Sequence, residues 1–293
     1  MAVLPSALQR RFPWLLRAWW VALPFTAGPS LAAGLRGWDH APRTLASLGL
    51  WAGWAVGLAA TLVPHPIGLT ALRVLAPAAL AATVASAASS HLWALAVAWT
   101  AVVTALVMAP DTGMYCVNGP AYPNERRFPL RAPGPLLVGP MAVAWALAVA
   151  GLGTGPLLLA DRHWVAGPVA LAVGLPVAVV LLRSLHTLSR RWAVFVPAGL
   201  VLADPLTLTD SALLRRQLLA AVGPAPAESE GLDLTQRAPG LALEVVLTES
   251  VGLGLVQPGR RRGRPRAARR LLFTPTLPGA LLEEAAARRF PVA

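Results

Sequence analysis

Six apolar segments, each close to the length of a membrane-spanning helix, alternate with short polar turns through residues 1–182. A spanning helix needs roughly 20 apolar residues, and each segment approaches that length without an Asp or Glu. The runs are too long and continuous for barrel strands, so the pattern predicts a bundle of six transmembrane helices. The segments lie at about 14–35, 44–63, 67–88, 91–109, 135–158 and 163–182.

From about residue 184 the pattern changes to short runs typical of strands. Residues 191–204 read as two strands joined by a Pro-x-Gly turn, and Asp210 is placed to cap a helix over 210–222. Further strands are predicted at 232–235, 241–248 and 270–274, followed by a closing helix from Pro278 to about Arg289.

The chain is therefore predicted to divide into two domains. Residues 1–183 form the transmembrane domain, with a cytoplasmic loop at 110–134. Residues 184–293 form a small α+β domain, with an arginine-rich loop at 258–270.

Strand–turn–strand, further strands and one C-terminal helix resemble the bacterial PH-like domain. The nearest match is the ending over 271–282, where a last strand runs through Thr274-Pro275 into the helix. The membrane half, with Asn118-Gly119 and the Glu125–Arg131 motif, resembles a group of uncharacterised actinobacterial multi-pass membrane proteins with such a tail. The resemblance implies a helical membrane bundle followed by a cytoplasmic PH-like domain, and it implies no established activity.

The charge is strongly basic, at +12, and all 25 basic residues are arginine. Basic residues before the first segment, within 126–131 and after the sixth segment fall on one side of a six-helix bundle. The positive-inside rule then predicts cytoplasmic N- and C-termini in the plasma membrane of a bacterium. Anionic lipid of the inner leaflet is the partner that this charge favours.

Two arginine clusters are the candidate lipid or partner contacts. The loop at 110–134 is predicted to be compact because of its turn residues, either as a folded cap or as a ligand or partner site. The loop at 258–270 has three readings: a solvated loop, an anionic-lipid contact, or DNA binding through the AT-hook-like core at 262–266. Nucleic acid is not the expected partner. The candidate residues are Arg126, Arg127, Arg131, Arg260, Arg261, Arg262, Arg264, Arg266, Arg269 and Arg270.

Polar residues inside the segments are few. Arg17 and Arg73 lie near predicted helix ends, where a long side chain can reach the interface. Gly49, Gly53 and Gly57 line one helix face, which favours close packing within the bundle over an oligomer interface. Several tryptophans near segment ends suggest an aromatic belt, namely Trp19, Trp20, Trp93, Trp145 and Trp164.

No motif for catalysis, metal binding or phosphate cradling is present in the sequence. Cys116 has only His65 as a local candidate base, so an inert thiol is favoured over a nucleophile.

The sequence predicts a non-enzymatic protein without a cofactor, whose bundle anchors a cytoplasmic domain that contacts lipid or protein. The alternative is a transporter or permease subunit for a small uncharged solute, with hydroxyls lining a cavity. Those hydroxyls would come from Thr26, Ser30, Thr100 and Thr104. The oligomeric state stays unassigned.

Overall fold

Helices and strands of this chain gather into two separate units. Of the described residues, the helical unit comprises 6–119 together with 142–186, and the β unit comprises 120–141 and 187–293. A computed structural model describes the chain at residues 6–86, 92–257, 259 and 263–293.

Eleven helices are present in these described ranges, and many begin at or next to a proline, as expected for the first turn of a helix. The eighth and the last belong to the β unit. In chain order they are α1 (Ser6–Val21), α2 (Leu23–Thr26), α3 (Gly28–Gly34), α4 (His40–Leu62), α5 (Pro66–Ala85), α6 (Trp93–Met108), α7 (Pro110–Asn118), α8 (Gly134–Leu137), α9 (Pro140–Ala160), α10 (Ala166–Leu188) and α11 (Pro278–Ala287).

Four described helices, α4, α5, α9 and α10, are long and apolar enough to cross a membrane. The pair α6 and α7 meets the same test together but bends by 56°, so it is a broken span or a re-entrant loop. Only 6% of the apolar window of α10 is buried within the protein. Apolar surface left open on this scale indicates association with a membrane.

The prediction of six spans is not confirmed, because the described helices support four, or five with the bent pair. The first predicted segment, 14–35, is divided among α1, α2 and α3. Pro24 and Pro29 stand at the starts of α2 and α3. A proline lacks the N–H that would continue the preceding helix, which explains the breaks.

Helix α1 packs against α4 through tryptophan and glycine. A Cβ at Gly57 would overlap the indole ring of Trp20, and a Cβ at Gly53 would touch Leu75 of α5. Trp20 and Trp54 each donate an indole N–H to the other's backbone carbonyl, at 2.9 and 3.1 Å. Two glycines of the stripe thus serve packing inside the bundle.

Two four-stranded sheets form the β unit. The first sheet is antiparallel with strand order β1-β2-β3-β4, and the second has the order β5-β7-β8-β6. Strand β6 runs parallel to β8, whereas the other pairs of the second sheet are antiparallel. The strands are β1 (Arg126–Pro129), β2 (Trp192–Val196), β3 (Gly199–Ala203), β4 (Ala212–Arg215), β5 (Leu219–Pro224), β6 (Leu232–Asp233), β7 (Leu243–Leu255) and β8 (Arg264–Phe273).

The first strand of the β unit comes from the segment between α7 and α9. Strand β1 pairs with β2 from Arg126 opposite Phe195 to Pro129 opposite Trp192. On its other side, the N–H of Thr276 donates to the carbonyl of Pro129 at 2.8 Å. The compact loop predicted over 110–134 is therefore a helix, α7, followed by a strand built into the β unit.

The helix predicted over 210–222 is wrong. The chain there forms β4, one turn of 3₁₀ helix at Arg216–Leu218, and then β5. Leu214 pairs opposite Leu200 of β3 and is fully buried. Pairing of β4 with β3 and of β5 with β7 overrides the helical spacing of the leucines in this stretch. The strands predicted over 191–204 and the helix predicted from Pro278 are both present.

A buried ion pair joins the ends of β2 and β3. The guanidinium of Arg191 donates twice to the carboxylate of Asp204, each bond at 2.7 Å, with both side chains at most 2% exposed. Its remaining nitrogen donates to the carbonyl of Arg131 at 2.7 Å. A buried charge is costly unless it is fully paired. The bond to the carbonyl of Arg131 completes the pairing of Arg191 and also holds the chain that follows β1.

Candidate functional site: an arginine-rich strand edge

The long hairpin of β7 and β8 carries most of the candidate arginines. Its outer half pairs Val251–Leu255 with Arg264–Ala268, and its inner half pairs Leu243–Val246 with Arg270–Phe273. An irregularity in β7 separates the halves, and the Nε–H of Arg269 donates there to the carbonyl of Leu247 at 2.8 Å.

One edge of β8 is open over most of its length. On the side away from β7, β6 pairs only with Leu271 and Leu272. In the part of the chain that the structure describes, no strand covers that edge over 264–270. An open edge presents backbone N–H and C=O groups to solvent or to a partner.

Four arginines stand along this open edge, and all four are exposed. Arg269 is tied to the hairpin backbone, and Arg270 lies 3.9 Å from the carboxylate of Glu244. The side chains of Arg264 and Arg266 form no hydrogen bond or ion pair with any described residue. The edge therefore offers at least two guanidinium groups free to bind an external anion.

An open groove of about 550 Å³ runs beside these arginines. Its walls are the 266–270 part of β8 on one side and Glu228, Glu230 and Leu232 on the other. The carboxylates of Glu228 and Glu230 offset part of the positive charge of the groove, whereas Arg264 lies outside its lining.

The remaining candidate arginines are placed differently. Arg126 on β1 is exposed, whereas Arg127 pairs with Glu125 at 3.0 Å and lies over the ring of Trp192. Arg131 is half-buried, with its guanidinium next to Gly240. These three lie on or beside the first sheet, and the β8 arginines lie on the second. Arg260, Arg261 and Arg262 fall outside the described residues.

Hydroxyl groups of the helical unit bond to one another and to their own helices. Thr83 and Thr100 are 2.9 Å apart, Ser30 and Ser86 are 3.3 Å apart, and all four are buried. Thr104 donates to the carbonyl of Thr100, as expected for a hydroxyl inside a helix. Such bonding is typical of polar contacts that hold helices together.

The short helix α7 brings two polar groups against α1 and α5. Arg17 donates to the hydroxyl of Tyr115 at 2.7 Å and to the carbonyl of Thr61 at 3.1 Å. Cys116 is fully buried, and the ring of His65 accepts the N–H of Ile67 at the start of α5. The imidazole of His65 is thus engaged at the start of α5, and full burial is typical of a structural rather than a reactive cysteine.

The structure adds residues that the sequence reasoning missed. Glu228 and Glu230 join the groove only because β6 runs beside β8, and no local motif signals this. No cluster of metal-ligating side chains occurs among the described residues.

Comparison with known proteins yields no match: no family model fits the chain, and no curated protein or solved structure is significantly similar to it.

Proposed function

We propose that this protein is a non-enzymatic multi-pass membrane protein whose β unit contacts anionic lipid through the β8 edge. The observation that carries the proposal is the row of four exposed arginines on β8, whose edge away from β7 is covered by no described strand over 264–270. Each basic residue near an anionic surface contributes about 1 kcal/mol, so a small row is enough for reversible contact.

The proposal includes six spans and cytoplasmic termini. The pieces α1, α2 and α3 would form the first, broken span, which is supported by contacts of all three with α6. The chain passes between the units after Gly119, after Met141 and after His186. In a membrane protein these three points must share one side, which agrees with the arginine distribution around 126–131 and after 183.

A PH-like architecture is part of the same proposal. Support comes from two largely antiparallel sheets followed by the closing helix α11. The arrangement differs from a domain contained in the tail alone, since β1 derives from residues 126–129. Any PH-like module here would need the inter-helix segment to complete its first sheet.

A protein partner is the second candidate for the same edge. An extended acidic peptide could add a strand to β8, with backbone bonds to the open edge and carboxylates near Arg264 and Arg266. Proline and charged side chains commonly protect a sheet edge from pairing with another strand. Because Pro265 and the arginines stand on this edge, we rank a peptide partner below lipid contact. A permease role has less support, because the hydroxyls Ser30 and Thr100 are engaged inside the bundle.

The test uses the full chain in nanodiscs, with an environment-sensitive dye on an Ala267→Cys variant. Ala267 is exposed between the arginines, whereas the native Cys116 is fully buried. Anionic lipid should shift the dye emission to the blue and reduce quenching by acrylamide, relative to neutral lipid. High salt should reverse both effects, because screening weakens contact between exposed charges.

Two double variants separate local contact from net charge. Arg264→Gln with Arg266→Gln should abolish the shift, whereas Arg215→Gln with Arg237→Gln removes the same charge elsewhere on the exposed surface and should preserve it. An unchanged emission in anionic and neutral nanodiscs would contradict the lipid proposal. A shift produced instead by an added acidic peptide would favour the protein partner.

A further inference from the structure

Arg73 lies on α5, about two turns from the start of an apolar helix that is long enough to span a membrane. Its Nε is buried and has no hydrogen-bond partner among the described residues. No described carboxylate forms an ion pair with it either. The residue as a whole is half-buried. A charge on an apolar helix that no protein group pairs with is costly and usually marks a functional site.

The helical unit offers little that could neutralise Arg73. Its chain segments contain three acidic residues, Asp39, Asp111 and Asp161, and no glutamate. Asp161 pairs with His163 at 3.1 Å, and Asp39 precedes α4. Asp111 shares α7 with the groups near Arg73 but forms no ion pair within the described chain.

Arg17 provides an internal comparison, since both arginines lie near α7. The guanidinium of Arg17 is used by Tyr115 and by the carbonyl of Thr61. Arg73 instead lies close enough to the thiol of Cys116 to interact with it electrostatically. The protein thus supplies hydrogen-bond acceptors to the guanidinium of Arg17, whereas the Nε of Arg73 has none among the described residues.

The position of Arg73 favours a negatively charged ligand. Side chains of a helix lean toward its N-terminus, and Cys116 lies beside the backbone of His65, where α5 begins. The planar fork of arginine matches the oxygens of a phosphate group.

We propose that Arg73 is the centre of a phosphate-binding site inside the helical unit, next to Cys116 and the start of α5. The phosphate comes from a phospholipid headgroup or from free inorganic phosphate, and the chemistry at Arg73 is the same for both. This site is independent of the β8 edge and of the proposed lipid contact there.

The experiment titrates the delipidated full chain, in neutral detergent, with phosphatidylglycerol or with inorganic phosphate. Thermal unfolding is followed by the fluorescence of the eleven tryptophans. A ligand that binds only the folded state raises the Tm with its concentration, and the titration gives an apparent Kd. A shift that only the lipid produces and that Arg73→Met reduces identifies a headgroup at this site, because the β8 edge is unchanged in that variant. A shift with inorganic phosphate that the same variant reduces identifies the free anion.

Variants assign the effect to Arg73. Arg73→Met should weaken binding by about tenfold to a hundredfold, the range expected for losing a charge-assisted pair. Arg162→Gln, at an exposed arginine of the same unit, should leave the titration unchanged. If Arg73→Met does not fold, Arg73→Lys keeps the charge without the fork and should still show a weaker Kd. Equal Tm shifts in wild type and both Arg73 variants, or no shift with either ligand, would overturn the proposal.

Discussion

Gly57 of α4 stands where a side chain cannot be accommodated. Its Cα faces the indole ring of Trp20, a side chain that is 1% exposed and hydrogen-bonded to Trp54. We expect Gly57→Ala to lower the free energy of unfolding by about 1–3 kcal/mol, because the added methyl must displace a large buried ring. Thermal unfolding of the purified protein in detergent measures the change.

Gly49 supplies the matched control for this prediction. It lies on the same helix and in the same stripe, but a Cβ there would meet nothing within 4 Å. Gly49→Ala should therefore keep or slightly raise the Tm, since alanine is the better helix former. An equal loss in both variants would mean that the effect arises from the helix backbone rather than from Trp20.

Predictions about single residues are confirmed where close helix packing alone determines the role of the residue. The glycine stripe predicted close helix packing, and Gly57 and Gly53 show it. The tryptophans predicted to form an aromatic belt differ in their surroundings: Trp164 is 71% exposed, whereas Trp93 and Trp145 donate to backbone carbonyls of α5. An indole near a segment end can face the membrane interface or donate a hydrogen bond inside the bundle. The position of the neighbouring helix decides which of these it does.

Strand β1 is an element whose importance the sequence does not show. Phe128 on this strand is 2% exposed and packs edge-to-face on Phe195 of β2, with ring centroids 5.9 Å apart. We expect Phe128→Ala to destabilise the β unit by about 3–5 kcal/mol, as for other buried aromatic truncations. Limited proteolysis of the full chain should then cut within 187–293 much faster than in the wild type.

Tyr122→Ala is the control for the same segment, because Tyr122 is 73% exposed and precedes β1. It should leave the rate of proteolysis unchanged. If Phe128→Ala also leaves the rate unchanged, the inter-helix segment contributes little to the stability of the β unit.

Helices and strands were predictable where nearby residues in the sequence determine them. The turn at 197–199 correctly predicts the strands on either side of it, and Pro278 correctly predicts the start of α11. The stretch 210–222 fails because Leu213, Leu214 and Leu218 satisfy helical spacing, while the decisive contact is with β3. The register of β1 on β2 joins residues more than 60 positions apart, which periodicity within either segment cannot reveal.

At the scale of the whole molecule, the number of spans decides which side each turn faces. Six spans require α1–α3 to cross the membrane, so that Arg11 and Trp38 lie on opposite sides. Both positions are exposed, and the wild-type thiol, Cys116, is fully buried. Single variants Arg11→Cys and Trp38→Cys therefore report sidedness against an unlabelled background.

We expect a membrane-impermeant thiol reagent, applied to intact cells, to label the Trp38→Cys variant and to leave Arg11→Cys unlabelled until the membrane is permeabilised. Trp164→Cys, in the turn between α9 and α10, should behave like Trp38→Cys, and Tyr122→Cys should behave like Arg11→Cys. Labelling of Arg11→Cys and Trp38→Cys from the same side would leave α1–α3 on one face of the bilayer. The helical unit would then have five spans with the two termini on opposite sides, or four spans with both termini on one side.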